Sequence, residues 1–198
     1  MTLRTLLETP AGPLLARGPQ SAHTYVTPVE SACLVMTDFR TSPMITTPAS
    51  TSIELALQQM KLSGARFTFV VDERGTLVGS VTSYDIQGEQ PIRYMQSVGG
   101  SHLTFAWRDV TVENIMKPVA EWQVLEHGAV ARLTIGELAT LMSDVGMRYL
   151  VVVEQLKDRA EWQVRGLFSG ARIQMLLGTP APVVAPARTF AELEREIA

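Results

Sequence analysis

Only one cysteine, Cys33, occurs among the 198 residues. That excludes an intrachain disulfide and any thiol-rich metal centre. Free cysteine is most often a small packing residue, and Cys33, between Ala32 and Leu34, is read that way. The histidines are few and scattered: His23, His102 and His127 have no partner at helical spacing, so no metal site is expected. No apolar run approaches the roughly 20 residues that span a bilayer. The N-terminal stretch MTLRTLLETPAGPLLARG is broken by Glu8, Pro10 and Pro13 and does not read as a signal peptide. The expected location is therefore the cytoplasm, without a membrane partner. Charge of one sign is also missing: 17 basic and 20 acidic residues give a formal charge of −3, and no long block of like charge occurs. Nucleic acid, which selects for a basic stripe, is not an expected partner. HExxH, GxSxG and a Gly-rich phosphate loop are all absent, and no paired acid and base stand out, so an enzyme is not expected.

What is there is a repeat. The segment SIELALQQMKLSGARFTFVVDE, residues 52–73, aligns with TIGELATLMSDVGMRYLVVVEQ, residues 134–155. Ile53, Met60, Gly64, Arg66, Val70 and Val71 meet Ile135, Met142, Gly146, Arg148, Val152 and Val153. After a shift of five residues, LVGSVTSYDI, residues 77–86, falls on QVRGLFSGARI, residues 163–173, with Gly79 opposite Gly166.

Each copy predicts the same elements. Ile53, Ala56, Leu57 and Met60 form one helical face ended by Gly64, and Ile135, Leu138, Ala139 and Met142 form another ended by Gly146. Two β-rich runs follow in each copy, RFTFVV with TLVGSV and RYLVVV with QVRGLF, and then a further helix begins, over 83–88 and 170–177. Short strands are expected upstream, in PMITTP and WQVLEH. The fold class is α/β (α+β), two βαββα units packed about a pseudo-twofold axis, because a copy of roughly 50–65 residues buries too little alone. The expected divisions are an N-terminal extension over 1–33, a first domain over 34–90, a connector over 91–109, a second domain over 110–178, and a Pro/Ala-rich linker with a final amphipathic helix over 179–198.

The stretch Thr82-Ser83-Tyr84-Asp85 sits where the second strand hands over to a helix. A hydroxyl followed three residues later by an acid is a capping box, which satisfies backbone N–H groups at the helix start. The same pair also suits presentation to a small ligand.

The doubled pattern, carried by GARFTFVVDERGTLVGSVTSYDI and by GMRYLVVV with VRGLFSGARI, resembles tandem cystathionine-β-synthase (CBS) domains, a Bateman module, here standing alone. MTDF, 36–39, and ENIM, 113–116, resemble the short element that precedes each such domain. The resemblance implies a regulatory module that takes an adenine derivative, AMP, ADP, ATP or S-adenosylmethionine, in a cleft and signals to an effector protein. It also implies a homodimer and no required cofactor. Carried over, Asp85 accepts the ribose hydroxyls, Thr82 and Ser83 lie by the phosphate, and Ile45, Thr46 and Thr47 before Pro48 form the adenine slot. A plain edge strand leading to a cap at Ser50, Thr51 or Ser52 is the competing reading of that slot. The second copy departs: Ser169 keeps the hydroxyl, but Arg172 replaces the aspartate and has donors only. That position is left to a phosphate or carboxylate clamp, or to a structural salt bridge, and one adenosine site per chain is expected. Trp122 is placed near this second cleft. The alternative function is a structural or protein-interaction module with no nucleotide.

Overall fold

The computed structural model describes residues 25–98, 107–156 and 161–178. The expected C-terminal helix and most of the N-terminal extension lie outside them.

Helix α1, Ile53–Ser63, starts where the Ser52 hydroxyl accepts from the Leu55 N–H and stops at Gly64, whose φ of 67° suits a residue without a Cβ. Strands β3, Phe67–Val71, and β4, Leu77–Thr82, then form an antiparallel hairpin, with β2, Thr46–Pro48, parallel to β3 on its other edge. Helix α2, Ser83–Gln87, follows directly. The second repeat rebuilds this order with β6, Val124–Glu126, α6, Ile135–Asp144, β7, Tyr149–Gln155, β8, Trp162–Ser169, and α7, Gly170–Leu177. Every repeat element expected from the sequence is present, in a mixed α/β fold with two four-stranded sheets.

The fourth strand of each sheet is exchanged. Strand β1, Thr37–Asp38, which precedes the first repeat, pairs antiparallel with β8 of the second, and β5, Lys117–Pro118, pairs antiparallel with β4 of the first. The turns before these strands cross over too. Ala32 and Val35 are buried in the core of the second repeat with Ile135, Leu138, Val152, Phe168 and Ile173. Val112 and Ile115, from the short helix α4 (Val112–Ile115), are buried in the core of the first with Ile53, Met60, Val70 and Val81. Interlocked in this way, neither repeat completes its sheet or its core without the other.

Three details differ from the sequence-based expectation. Cys33 is exposed, because the 3₁₀ turn Ala32–Val35 directs Ala32 and Val35 inward and leaves the two residues between them outside. The connector contains a helix, α3 (Gln90–Val98), with Pro91 in its first turn, where a missing N–H costs nothing. A further short helix, α5 (His127–Val130), follows β6.

Candidate functional site

The Thr82–Asp85 pair forms a complete capping box. Thr82 is the last residue of β4 and the N-cap of α2, and its hydroxyl accepts from the Asp85 N–H at 3.1 Å. In return Asp85 Oδ2 accepts from the Thr82 N–H at 2.8 Å and from its hydroxyl at 2.7 Å. Both bonds fall on one carboxylate oxygen, and an ionised carboxylate accepts through two. The cap thus fixes the side chain through Oδ2, with Oδ1 taking no part in it. Ser83 donates its N–H to the Arg66 carbonyl at 3.0 Å and lines a cavity of about 450 Å³ with Tyr84, Arg66 and Lys61.

Phe67 and Thr82, paired on β3 and β4, stand at one end of the first sheet, with Ile45 just ahead of β2. The Ile45 carbonyl accepts from the Phe69 N–H and from the Thr68 hydroxyl, each at 3.0 Å. Ile45 and Thr46 are exposed. Thr47 is not: it is 2% exposed and its hydroxyl bonds that of Thr68 at 3.1 Å, on the side of the sheet where Val70 packs against the helices. Of the three slot residues, two are accessible and the third holds the strand from behind. The cap ahead of α1 is made by Ser52.

Where the repeats meet, two equivalent arginines converge. Arg66, ahead of β3, donates to the Tyr84 hydroxyl at 3.2 Å, and the Arg148 guanidinium, ahead of β7, lies 4.3 Å from the centre of the same tyrosine ring. Both arginines, with Tyr84, Tyr149 and Ser169, line a second cavity of about 510 Å³. Tyr149 packs against Phe67 with ring centroids 5.1 Å apart. Its hydroxyl is held above the ordinary tyrosine range, first by burial and then by Tyr84, with Arg66 and Arg148 pulling the other way and Asp85 adding to the rise. Arg66 and Arg148 thus share one cavity wall with this phenol. Alkaline spectrophotometric titration should show a late-ionising tyrosine that is absent in Tyr149→Phe. Because the folded value lies above the unfolded one, stability from this group is complete below about pH 10 and is lost as pH rises through the folded value. A titration unchanged by Tyr149→Phe would contradict this placement.

The two arginines are the functional candidates that the sequence reading passed over. Their signal was present, as an identity between the copies, but an arginine that starts a strand looks like ordinary surface. Tyr84 gave no repeat signal, since its counterpart is Ala171.

Beyond this junction, the space between the sheets is occupied by aromatic rings. Phe69 meets Phe39 at 5.5 Å, Phe67 at 5.0 Å and Trp122 at 5.9 Å between centroids. Trp122 thus packs on the first sheet rather than in the second cleft, held by its indole N–H donating to the Lys117 carbonyl at 3.1 Å. The crossing of β5 into the first sheet carries it there.

In the second cleft, the Ser169 hydroxyl accepts from the Arg172 N–H at 3.5 Å and caps α7. The Arg172 side chain donates to the Thr37 hydroxyl at 3.3 Å, so the expected salt bridge is replaced by a neutral partner. The buried ion pairing falls instead to Arg165, which is 7% exposed and meets Asp38 and Glu154. Arg40 joins Glu154 at 2.7 Å. Among the described residues, no group of three or more His, Cys, Asp or Glu side chains is placed to hold a metal ion, and no helix is long and apolar enough to cross a membrane.

The interlocked βαββ repeats, the hydroxyl-x-x-acid strand exit and the matched family pattern now coincide: residues 35–90 match the family described as CBS domain. Residues 35–90 are a CBS domain. The second repeat carries the same topology, so the chain has the fold of a CBS pair. An uncharacterized conserved protein from Pyrococcus horikoshii is similar at 20% identity, covering 75% of this chain and 92% of that one, with a TM-score of 0.50. CBSX2, a CBS-pair protein from Arabidopsis thaliana, is 19% identical in its complex with AMP, covering 73% and 93%, with a TM-score of 0.46. The CBS domain pair of MJ0100, in complex with 5′-methylthioadenosine and S-adenosyl-L-methionine, is 21% identical, covering 76% and 98%, with a TM-score of 0.49. No curated protein sequence matches the chain.

Proposed function

We propose that this CBS-pair protein is a regulatory module that binds an adenine nucleotide at its first repeat, pairs with a second copy and passes its occupancy to an effector protein. The observation that carries the reading is the pair Arg66 and Arg148, which meet on Tyr84 and line one cavity with Tyr149 at the junction of the repeats, one residue from the capped Asp85. The chemistry is complementary to a nucleotide. A carboxylate oxygen accepts from vicinal ribose hydroxyls, and two guanidinium groups suit a phosphate. Ile45 and Thr46 supply the exposed, small or apolar strand edge for the base, Thr47 braces that strand through Thr68, and Thr82 and Ser83 lie at the α2 start beside the phosphate. In the unliganded chain Tyr84 engages both arginines, and a phosphate takes over that role. In the second repeat Arg172, a donor only, stands where the first has Asp85, and the Ser169 hydroxyl already accepts from the Arg172 N–H, so a ribose finds no carboxylate acceptor there.

Calorimetric titration with AMP, ADP, ATP and S-adenosylmethionine tests this. One ligand should bind near one per chain. Asp85→Ala should weaken it by roughly 1.5–3 kcal/mol, the scale of a lost charged hydrogen bond, while Arg172→Ala leaves it unchanged. Because Asp85→Ala also breaks the cap, at about 0.5–2 kcal/mol of stability, thermal unfolding is run alongside and titrations are made well below the transition. Absence of binding by the folded protein, or equal affinity in Asp85→Ala, refutes the reading. A second reading, an interaction module without nucleotide, is favoured by one observation: the rings of Phe39, Phe67, Phe69, Trp122 and Tyr149 occupy the space between the sheets.

A further inference from the structure

The larger cavity runs between α6 and α7 and is walled by Ala139, Met142, Met147 and Ile173, with Arg66 and Arg148 as its charged members. An apolar lining with two cations is suited to an acidic amphipathic segment. We propose that the occupant is the chain's own C-terminal stretch TFAELEREIA, residues 189–198.

Three features select it. Its sequence sets Phe190, Leu193 and Ile197 at i, i+3 and i+7, one apolar stripe at helical spacing. Beside that stripe are Glu192, Glu194 and Glu196 against the single Arg195, a charge opposite to that of Arg66 and Arg148. The chain is also long enough. Helix α7 has Gly170 in the cavity wall and ends at Leu177, a length of about 12 Å for eight residues. The ten residues 179–188, with Pro180, Pro182 and Pro186, reach up to roughly 31 Å when extended. The segment can therefore double back along α7 and reach the cavity with length to spare. Lys61, in the adjoining smaller cavity, adds to the positive side. The docking stands on the cavity, the charge and the reach, and does not require a nucleotide.

Cross-linking in the full-length chain tests it. With Cys33→Ser as background, Ser143→Cys, on the cavity wall, is combined with Leu193→Cys and oxidised. A disulfide within one chain, identified by mass spectrometry on the monomer band, is the expected result. A control pairs Leu193→Cys with Arg74→Cys, in the hairpin turn at the opposite end of β3 from Arg66, and should stay reduced. A disulfide only between two chains, equal linkage to the control, or none at all overturns the proposal. Leu193→Asp in the otherwise native chain gives a second readout, since it alters no described residue. Amide exchange over 143–148 and 170–174 should rise about fivefold or more on loss of docking, and unchanged exchange overturns the proposal.

Discussion

Phe69→Ala is expected to destabilise the protein by about 3–5 kcal/mol, the range for a buried phenylalanine truncated in a core that relaxes only partly. Phe69 is 1% exposed and lies on the central strand of the first sheet, paired with Thr46 on one side and Ser80 on the other. Its ring turns away from the helices of its own repeat. It meets Phe39, Phe67 and Trp122 instead, three rings drawn from the loop after β1, from its own strand and from the segment before β6. Edge-to-face and tilted pairs of this kind add roughly 0.5–1.5 kcal/mol each beyond their buried area, and alanine forfeits all three. Urea unfolding of Phe69→Ala, compared with Phe67→Ala at a half-buried position, measures the effect. A cost near that of a surface substitution, within about 0.5 kcal/mol, would mean that the repeats are not joined through these rings.

How far the sequence anticipates this structure differs between its levels. Helical spacing and the alternation of apolar residues are local, and they locate α1, α6 and the two hairpins because each follows from side chains within one turn or one strand. The doubled pattern adds the relation between the copies. The exchange of β1 and β5 is not local: nothing in Thr37-Asp38 or Lys117-Pro118 says which sheet they join. The position of Trp122 on the first sheet follows from that exchange and is equally invisible in the sequence. The site was legible at Thr82 and Asp85, where residue types and spacing state a capping box outright. Ile45 to Thr47 were legible as a strand edge, but sequence alone does not say which of the three faces the core, and it is Thr47. Arg66 and Arg148 become a pair only when the two strand starts are brought together, a fact about the junction rather than about either copy.

The two glycines that the repeats share within their second strands give the other large effect. Gly79→Val is expected to cost about 3 kcal/mol, at the upper end of overpacking in a filled interior, and Gly166→Val the same. At Gly79 a Cβ would stand 2.7 Å from the Lys117 carbonyl oxygen and 2.8 Å from Met116 Sδ. At Gly166 it would stand 2.8 Å from Met36 Sδ and 2.9 Å from the Thr37 carbonyl oxygen. Methionine can swing aside; a carbonyl held in a ladder cannot, so the added carbon must part β4 from β5, or β8 from β1. Neither glycine has a positive φ among the described residues, so the requirement is close approach and not backbone freedom. Gly64 provides the opposite case, with φ 67° and nothing within 4 Å of a would-be Cβ. Gly64→Ala should cost only about 1–2 kcal/mol of left-handed strain, and Gly64→Asn less, because asparagine tolerates that conformation. Gly79→Asn gains nothing from that tolerance. If Asn rescues both positions equally in thermal unfolding, the exchanged strands are not what holds the glycines in place, and the interlocking of the two repeats is weaker than the ladders imply.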